Sequence, residues 1–231
     1  MDFKTIYRQH PDTYQALVAH EDYQSNLANA LRRLLPTGGG RVLDIGTGTG
    51  RVARQLVGEV RSIAASDHSL PMLRTAAEVV PGGIAWAAAD NRQLPFRSAC
   101  ADLVVAGWSL GHSVAWFPDS WPREIGGALR EMLRIVRPGG RLAVIETLGT
   151  GRETPLAPTQ PLADYYQWLE VEHGFSRQWV RTDYLFPDVA QAERLMRFFF
   201  GDEMGDRVRV AGMRLVPECT GVWTRPADGT G

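Results

Sequence analysis

The sequence predicts an α/β chain with a doubly wound, mostly parallel sheet and helices on both faces. Three observations support this. Short apolar runs bounded by glycine, proline or polar turns alternate with segments of helical period. The connections between them are short, as in βαβ crossovers. Between the first run and its helix lies Gly46-Thr47-Gly48-Thr49-Gly50, a turn that backbone-facing ligand edges can approach because glycine has no Cβ.

Taken in order, Leu17, Val18, Tyr23, Leu27, Leu31 and Leu34 form an apolar stripe, so residues 12–35 read as one or two helices. Pro36-Thr37-Gly38-Gly39-Gly40 ends them. Arg41 to Ile45 is the first strand, and the helix after Gly50 is expected to end near Gly58. Ile63 to Asp67, Ile84 to Ala89, Asp102 to Gly107 and Arg141 to Thr147 are the next strands. The helices between them are expected from Leu70 to Val80 and from Ile125 to Val136, with Pro138-Gly139-Gly140 as a break. Pro155, Pro158 and Pro161 mark residues 149–162 as loop. Then come a helix over Ala163 to His173, a strand over Trp179 to Phe186, a helix over Val189 to Phe200 and a strand over Met213 to Thr224. The tail beyond Pro226 is expected to fray.

At 231 residues and 44% apolar composition, the chain reads as a single domain with a sizeable core. Its net charge of −1 gives no electrostatic reason to expect a nucleic acid or an anionic membrane as partner. Two cysteines, Cys100 and Cys219, make no disulfide scaffold and read as buried thiols. No His/Cys cluster has zinc spacing, so no metal site is expected. With no apolar signal region and no run of membrane-span length, a soluble cytoplasmic protein is expected. Composition leaves the oligomeric state open.

The spacing of the glycines narrows the ligand. It is G-x-G-x-G, with Asp44 two residues ahead, where dinucleotide enzymes use G-x-G-x-x-G. No Gly-Lys-Ser/Thr follows, which excludes a P-loop. Asp67 stands 21 positions after Gly46 and ends the second strand, where an acid accepts from ribose hydroxyls. Asp67 could instead cap the next helix, although Ser69, just before Leu70-Pro71, is the better cap. Asp90-Asn91 ends the third strand, and Arg137-Pro138-Gly139-Gly140 precedes the fifth.

In this order the four features resemble the class I S-adenosylmethionine-dependent methyltransferases, in particular the type 11 small-molecule domain, over residues 40–147. The resemblance implies a Rossmann-like, seven-stranded sheet with an antiparallel last strand. It implies S-adenosylmethionine as cofactor and direct displacement giving S-adenosylhomocysteine. One domain over 1–231 is expected: a helical lid at 12–35, the cofactor core at 40–147 and an acceptor side with the closing strands at 150–224.

On that resemblance Gly46, Thr47, Gly48 and Gly50 form the cofactor turn, and Asp44 meets turn amides or the cofactor ammonium. Asp67 takes the ribose, with His68 beside it. Asp90 and Asn91 read adenine, or else form a solvent-facing turn, and Met72 flanks the base. Gly107 and Trp108 lie beside the transferred methyl group. His112 is the candidate base or acceptor-orienting group, or else a structural histidine. Trp108, Trp116, Phe117 and Trp121 line an acceptor pocket or are core. Tyr14, His20 and Tyr23 are lid residues that touch ligand, while Glu21 and Asp22 are solvated or cap a helix. Tyr165, Tyr166, Trp168, Arg181, Tyr184 and Phe198-Phe199-Phe200 suggest an aromatic acceptor side, with the three phenylalanines read as core and Arg181 as a surface ion pair. Other readings stay open: a non-methyl-transfer enzyme using the same cofactor, an NAD-dependent oxidoreductase, or a non-catalytic cofactor-binding protein. A nucleic-acid acceptor is disfavoured, since the strand-four loop has no Asn/Asp-Pro-Pro-Tyr-type motif.

Overall fold

The computed structural model describes residues 3–227. Three short helices lead: α1 (Phe3–Gln9), α2 (Pro11–Val18) and α3 (Asn26–Arg32). Pro11 opens α2, where its missing N–H is no loss. The Asp22 carboxylate accepts from the amides of Leu27 and Ala28 at 3.0–3.3 Å and so satisfies donors in the first turn of α3. The stripe expected over 12–35 is thus two helices, and α1 lies outside it. With only Ile6 buried, α1 is too short to show a period.

Alternation follows: β1 (Arg41–Ile45), α4 (Ala53–Leu56), β2 (Ser62–Asp67), α5 (Leu70–Val79), β3 (Ile84–Ala88), β4 (Ala101–Gly107), α6 (His112–Trp116), α7 (Trp121–Ile135) and β5 (Val136–Thr150). The helix after the glycine turn is a single turn, shorter than expected. The break expected at Pro138-Gly139-Gly140 falls within β5 as an irregularity. Val136 pairs with Ala101, the register shifts, and Arg141 pairs with Leu103.

The C-terminal third contains α8 (Gln160–Val171), β6 (Ser176–Arg181), β7 (Tyr184–Leu185), α9 (Val189–Phe200), α10 (Asp202–Ala211), β8 (Leu215–Val216) and β9 (Glu218–Pro226). The single strand expected over 179–186 is two, because Thr182 and Asp183 leave the sheet. Asp183 accepts from the Arg181 guanidinium and from the Glu218 amide at 2.7–2.9 Å, which turns the chain there. β7 then pairs with β8 in a separate two-stranded ribbon. The strand expected over 213–224 likewise splits into β8 and β9. Helix α10 was not anticipated; Gly201, at φ +91°, separates it from α9.

The main sheet has seven strands in the order β3-β2-β1-β4-β5-β9-β6. The first five are parallel neighbours, and β9 runs antiparallel to both β5 and β6. β4 is buried along nearly its whole length, as a parallel strand covered on both faces must be. Leu43 and Ile45 of β1 face α7 and α8, while Val42 faces α3 and α4. Strand order reverses between β1 and β4, so the crevice at their carboxyl ends is where such a sheet binds ligands. Beyond Pro226, Ala227 donates to the Gly140 carbonyl at 2.9 Å, and the rest of the tail expected to fray lies outside the described residues. Among the described residues no helix is long and apolar enough to cross a membrane.

Candidate functional site

A cleft of about 600 Å³ opens at this switch point. Its floor is the turn after β1. Gly46 and Gly48 have φ +61° and +59°, and a Cβ on Gly46 would stand 2.5 Å from Ser109 Cβ. Gly50 serves packing instead, since a Cβ there would strike Val80 of the α5 end at 2.6 Å. Asp44 lies beneath the turn, fully buried and outside the cleft lining. Its Oδ2 accepts from the Thr47 hydroxyl at 2.5 Å and the Ala53 amide at 3.1 Å, tying the turn to α4. Burial pushes its carboxyl up to about 7.

Asp67 reaches the cleft from the end of β2. One oxygen accepts from the Gly48 amide and the other from the Ser69 amide, both at 2.8 Å, and burial raises its pKa. His68 is an exposed lining residue 3.5 Å from the same carboxylate. Met72 of α5 and Tyr14 of α2 close over Gly48. At the end of β3, Asp90 and Asn91 both line the cleft, but Arg92 engages Asp90 through its amide, Nε and Nη2 at 2.5–2.9 Å. These bonds hold the Asp90 carboxyl below its usual range. The same guanidinium also pairs with Glu124 of α7.

The opposite end is aromatic. Gly107 and Trp108 follow β4; a Cβ on Gly107 would stand 2.5 Å from Val52, so that glycine serves packing. Trp108 sits at φ +47°, an unusual conformation for a bulky residue, and the Arg51 guanidinium lies 3.3 Å from its ring centroid. His112 opens α6. The Tyr7 hydroxyl is 2.7 Å from its Nε2. Burial and the nearby Arg51 charge lower His112 to about 4. Trp116 stacks on His112 at 5.1 Å and 15°, and Phe117 lies beside them on the lining.

Of the aromatic group near His112, Trp121 is the exception: it packs edge-on against Tyr165 and Trp168, away from the cleft. His20, Tyr23 and Tyr184 are not lining residues either. His20 packs on Phe186 at 4.9 Å, Tyr23 is exposed, and Tyr184 is buried with its hydroxyl 3.4 Å from Arg51. Tyr165 and Tyr166 are core. Phe199 and Phe200 pack against the cluster around α9, Phe198 and Phe199 against the Tyr14 cluster, and Arg181 pairs with Asp183. The expected acceptor side at 150–224 thus supplies no lining residue, because α9 and β7 turn their rings inward. Cys219 is buried but Cys100 is only half-buried.

Several lining residues escaped sequence reasoning. Lys4, Tyr7 and Arg8 come from α1, which showed no period. Arg51 directly follows the glycine turn, and a buried partner for it was legible only in three dimensions. That partner is Glu21, expected to be solvated but buried here, whose Oε2 accepts from Arg51 Nε at 2.5 Å. Among the described residues no cluster of three or more His, Cys, Asp or Glu could hold a metal ion.

This sheet and switch-point cleft define the class I methyltransferase fold. Residues 43–144 match the family model described as a methyltransferase domain. The demethylmenaquinone methyltransferase of Roseiflexus castenholzii is 32% identical over 137 residues, 58% of this chain and 50% of that protein. The biotin biosynthesis bifunctional protein BioHC of Cellvibrio japonicus is 30% identical over 126 residues, 54% of this chain and 23% of that protein. The chain thus spans half or less of the length of these curated relatives. Phosphoethanolamine N-methyltransferase 2 of Haemonchus contortus, solved with S-adenosyl-L-methionine, superposes with a TM-score of 0.55 at 19% identity. That match covers 98% of this chain and 60% of the other. Residues 43–144 are therefore a class I methyltransferase domain, and S-adenosylmethionine is the cofactor of that class.

Proposed function

We propose that this protein transfers the methyl group of S-adenosylmethionine to a small-molecule acceptor, leaving S-adenosylhomocysteine. The observation that carries this reading is one cleft joining the glycine turn, Asp67 and Asn91 at one end to His112 and Trp116 at the other. The cofactor residues fit. Gly48 leaves its backbone open to ligand, and Gly46 lets Ser109 and Asn91 close on the turn. Asp67 accepts from the Gly48 and Ser69 amides, one on each oxygen, and each carboxylate oxygen has a further lone pair for ribose hydroxyls. Trp108 Nε1 is buried without a partner among the described residues, an unused donor on a side chain that lines the cleft. Asn91 reads adenine beside Asp90, whose carboxylate also steadies Arg92.

When bound, the cofactor supplies an electrophilic methyl carbon, and the chain's own work is binding and orientation. α1 and α2 act as the lid, excluding water with Tyr7 and Tyr14. His112 holds a lone pair on Nε2 at neutral pH and takes a proton from the acceptor. A cytoplasmic setting accompanies this reading. Calorimetric titration with S-adenosylmethionine, S-adenosylhomocysteine and NAD tests it. The first two are expected to bind and NAD not to; binding of NAD alone, or of none, would overturn it.

A further inference from the structure

Resting on the methyl-transfer reading, we propose that the acceptor end of the cleft takes a planar aromatic anion bearing a hydroxyl group, a phenolic carboxylate in its simplest form. Three independent features of that end carry it.

The first is shape. His112 and Trp116 stack nearly parallel, and Tyr7 meets His112 edge-on at 5.3 Å. Phe117 continues this surface. Flat π-faces of this kind match a planar ring better than an aliphatic chain.

The second is charge. Lys4 and Arg8 stand one helical turn apart on α1, and both line the cleft. Lys4 Nζ lies over the Trp116 ring at 5.0 Å and over Phe117 at 5.8 Å. Among the described residues neither cation has an ion-pair partner. The other lining cations are engaged: Arg51 by Glu21, Arg92 by Asp90 and Glu124. The acids that line the cleft belong to the cofactor end or are held by Arg92. Lys4 therefore makes the Trp116 side of the cleft electropositive, which attracts a carboxylate and repels a cationic amine.

The third is proton chemistry. His112 is kept neutral, with Nε2 facing the hydroxyl of Tyr7, so a hydroxyl in that place is a recognised partner. In the reaction an acceptor O–C bond forms as the donor S–C bond breaks. The phenolic proton passes to the Tyr7 hydroxyl as that hydroxyl's own proton passes to Nε2 of His112, and from there to solvent.

Binding to the full chain saturated with S-adenosylhomocysteine tests this, read by tryptophan fluorescence and calorimetry. The probes are 4-hydroxybenzoate and 4-hydroxycinnamate, each against its methyl ester. The acids are expected to bind about tenfold more tightly than the esters, the scale of one charge-assisted contact. The preference should shrink with added salt and vanish in the double variant Lys4→Ala/Arg8→Ala, with affinity for S-adenosylhomocysteine kept. Esters binding as tightly as the acids, no binding of either to the saturated protein, or an acid preference that survives the double variant would each overturn the proposal. Failure of S-adenosylhomocysteine itself to bind would instead overturn the methyl-transfer reading beneath it.

Discussion

Asp67 combines a structural contact with the ribose role proposed for it. It receives the amides of Gly48 and Ser69, so it shapes the glycine turn before any ligand arrives. Asp67→Ala is expected to weaken S-adenosylmethionine binding about tenfold or more, the scale of charged hydrogen bonds, with the far-ultraviolet circular dichroism retained. Unchanged affinity by calorimetry would remove its ribose role. His112 invites a kinetic test. Its depressed pKa of about 4 keeps the base form dominant well below the ordinary histidine value of 6.5. Turnover on a true acceptor should therefore hold down to about pH 5 and lose its acidic limb only near pH 4. An acid limb near 6.5 would contradict this environment. His112→Ala should slow turnover by about 10²–10⁴ while cofactor affinity persists. At this scale the sequence marked Asp67 and Asn91 by their strand ends, His112 by the loop after the fourth strand, and Trp116 by the aromatics clustered around that histidine. It could not distinguish Gly48, whose Cβ position meets nothing closer than 3.3 Å, from Gly46, Gly50 and Gly107, which make room for Ser109, Val80 and Val52. Those neighbours are remote or lie on another element.

Between elements, Arg51 joins the start of the helical turns after β1 to the α2–α3 connection through Glu21, and its guanidinium lies on Trp108. Both partners are buried, so removing one leaves an uncompensated charge. Arg51→Ala should destabilise the fold by about 3–5 kcal/mol in urea denaturation, and Arg51→Met with Glu21→Gln by clearly less. Equal losses would show that packing, not charge, dominates. The pair was illegible beforehand because an arginine after a glycine turn and an acid in a polar stretch are each ordinary surface residues. Element length explains the other misses. α1, β7 and β8 are too short to display a period, and α10 is recognisable only once Gly201 is seen to restart the chain.

Over the whole molecule, three buried carboxyls hold protons unusually late. Burial lifts Asp44 and Glu218 to about 7 and Glu146 to about 8. A raised folded-state pKa means the folded chain binds protons that the unfolded chain has released. The resulting stability is complete below about pH 4 and is lost as pH rises through 7 to 8. Among these groups Glu146 accepts from the Gly111 amide at 2.8 Å, just ahead of α6. The chemical-denaturation midpoint is expected to fall between pH 6 and pH 9, and Glu146→Gln should shrink that fall. A midpoint rising over this window would refute the assignment.

The parallel core was written in the sequence because buried strands must be continuously apolar and glycine turns must sit where the backbone reverses sharply. These local constraints fixed β1 to β5 and the cofactor end of the cleft. What α1 contributes to the cleft was decided only by tertiary structure. Lys4 meets Trp116 and Tyr7 meets His112 across more than a hundred residues, and α9 turns its phenylalanines inward. Contacts at that separation depend on how finished elements pack, and packing leaves no period in the chain for a reader to find.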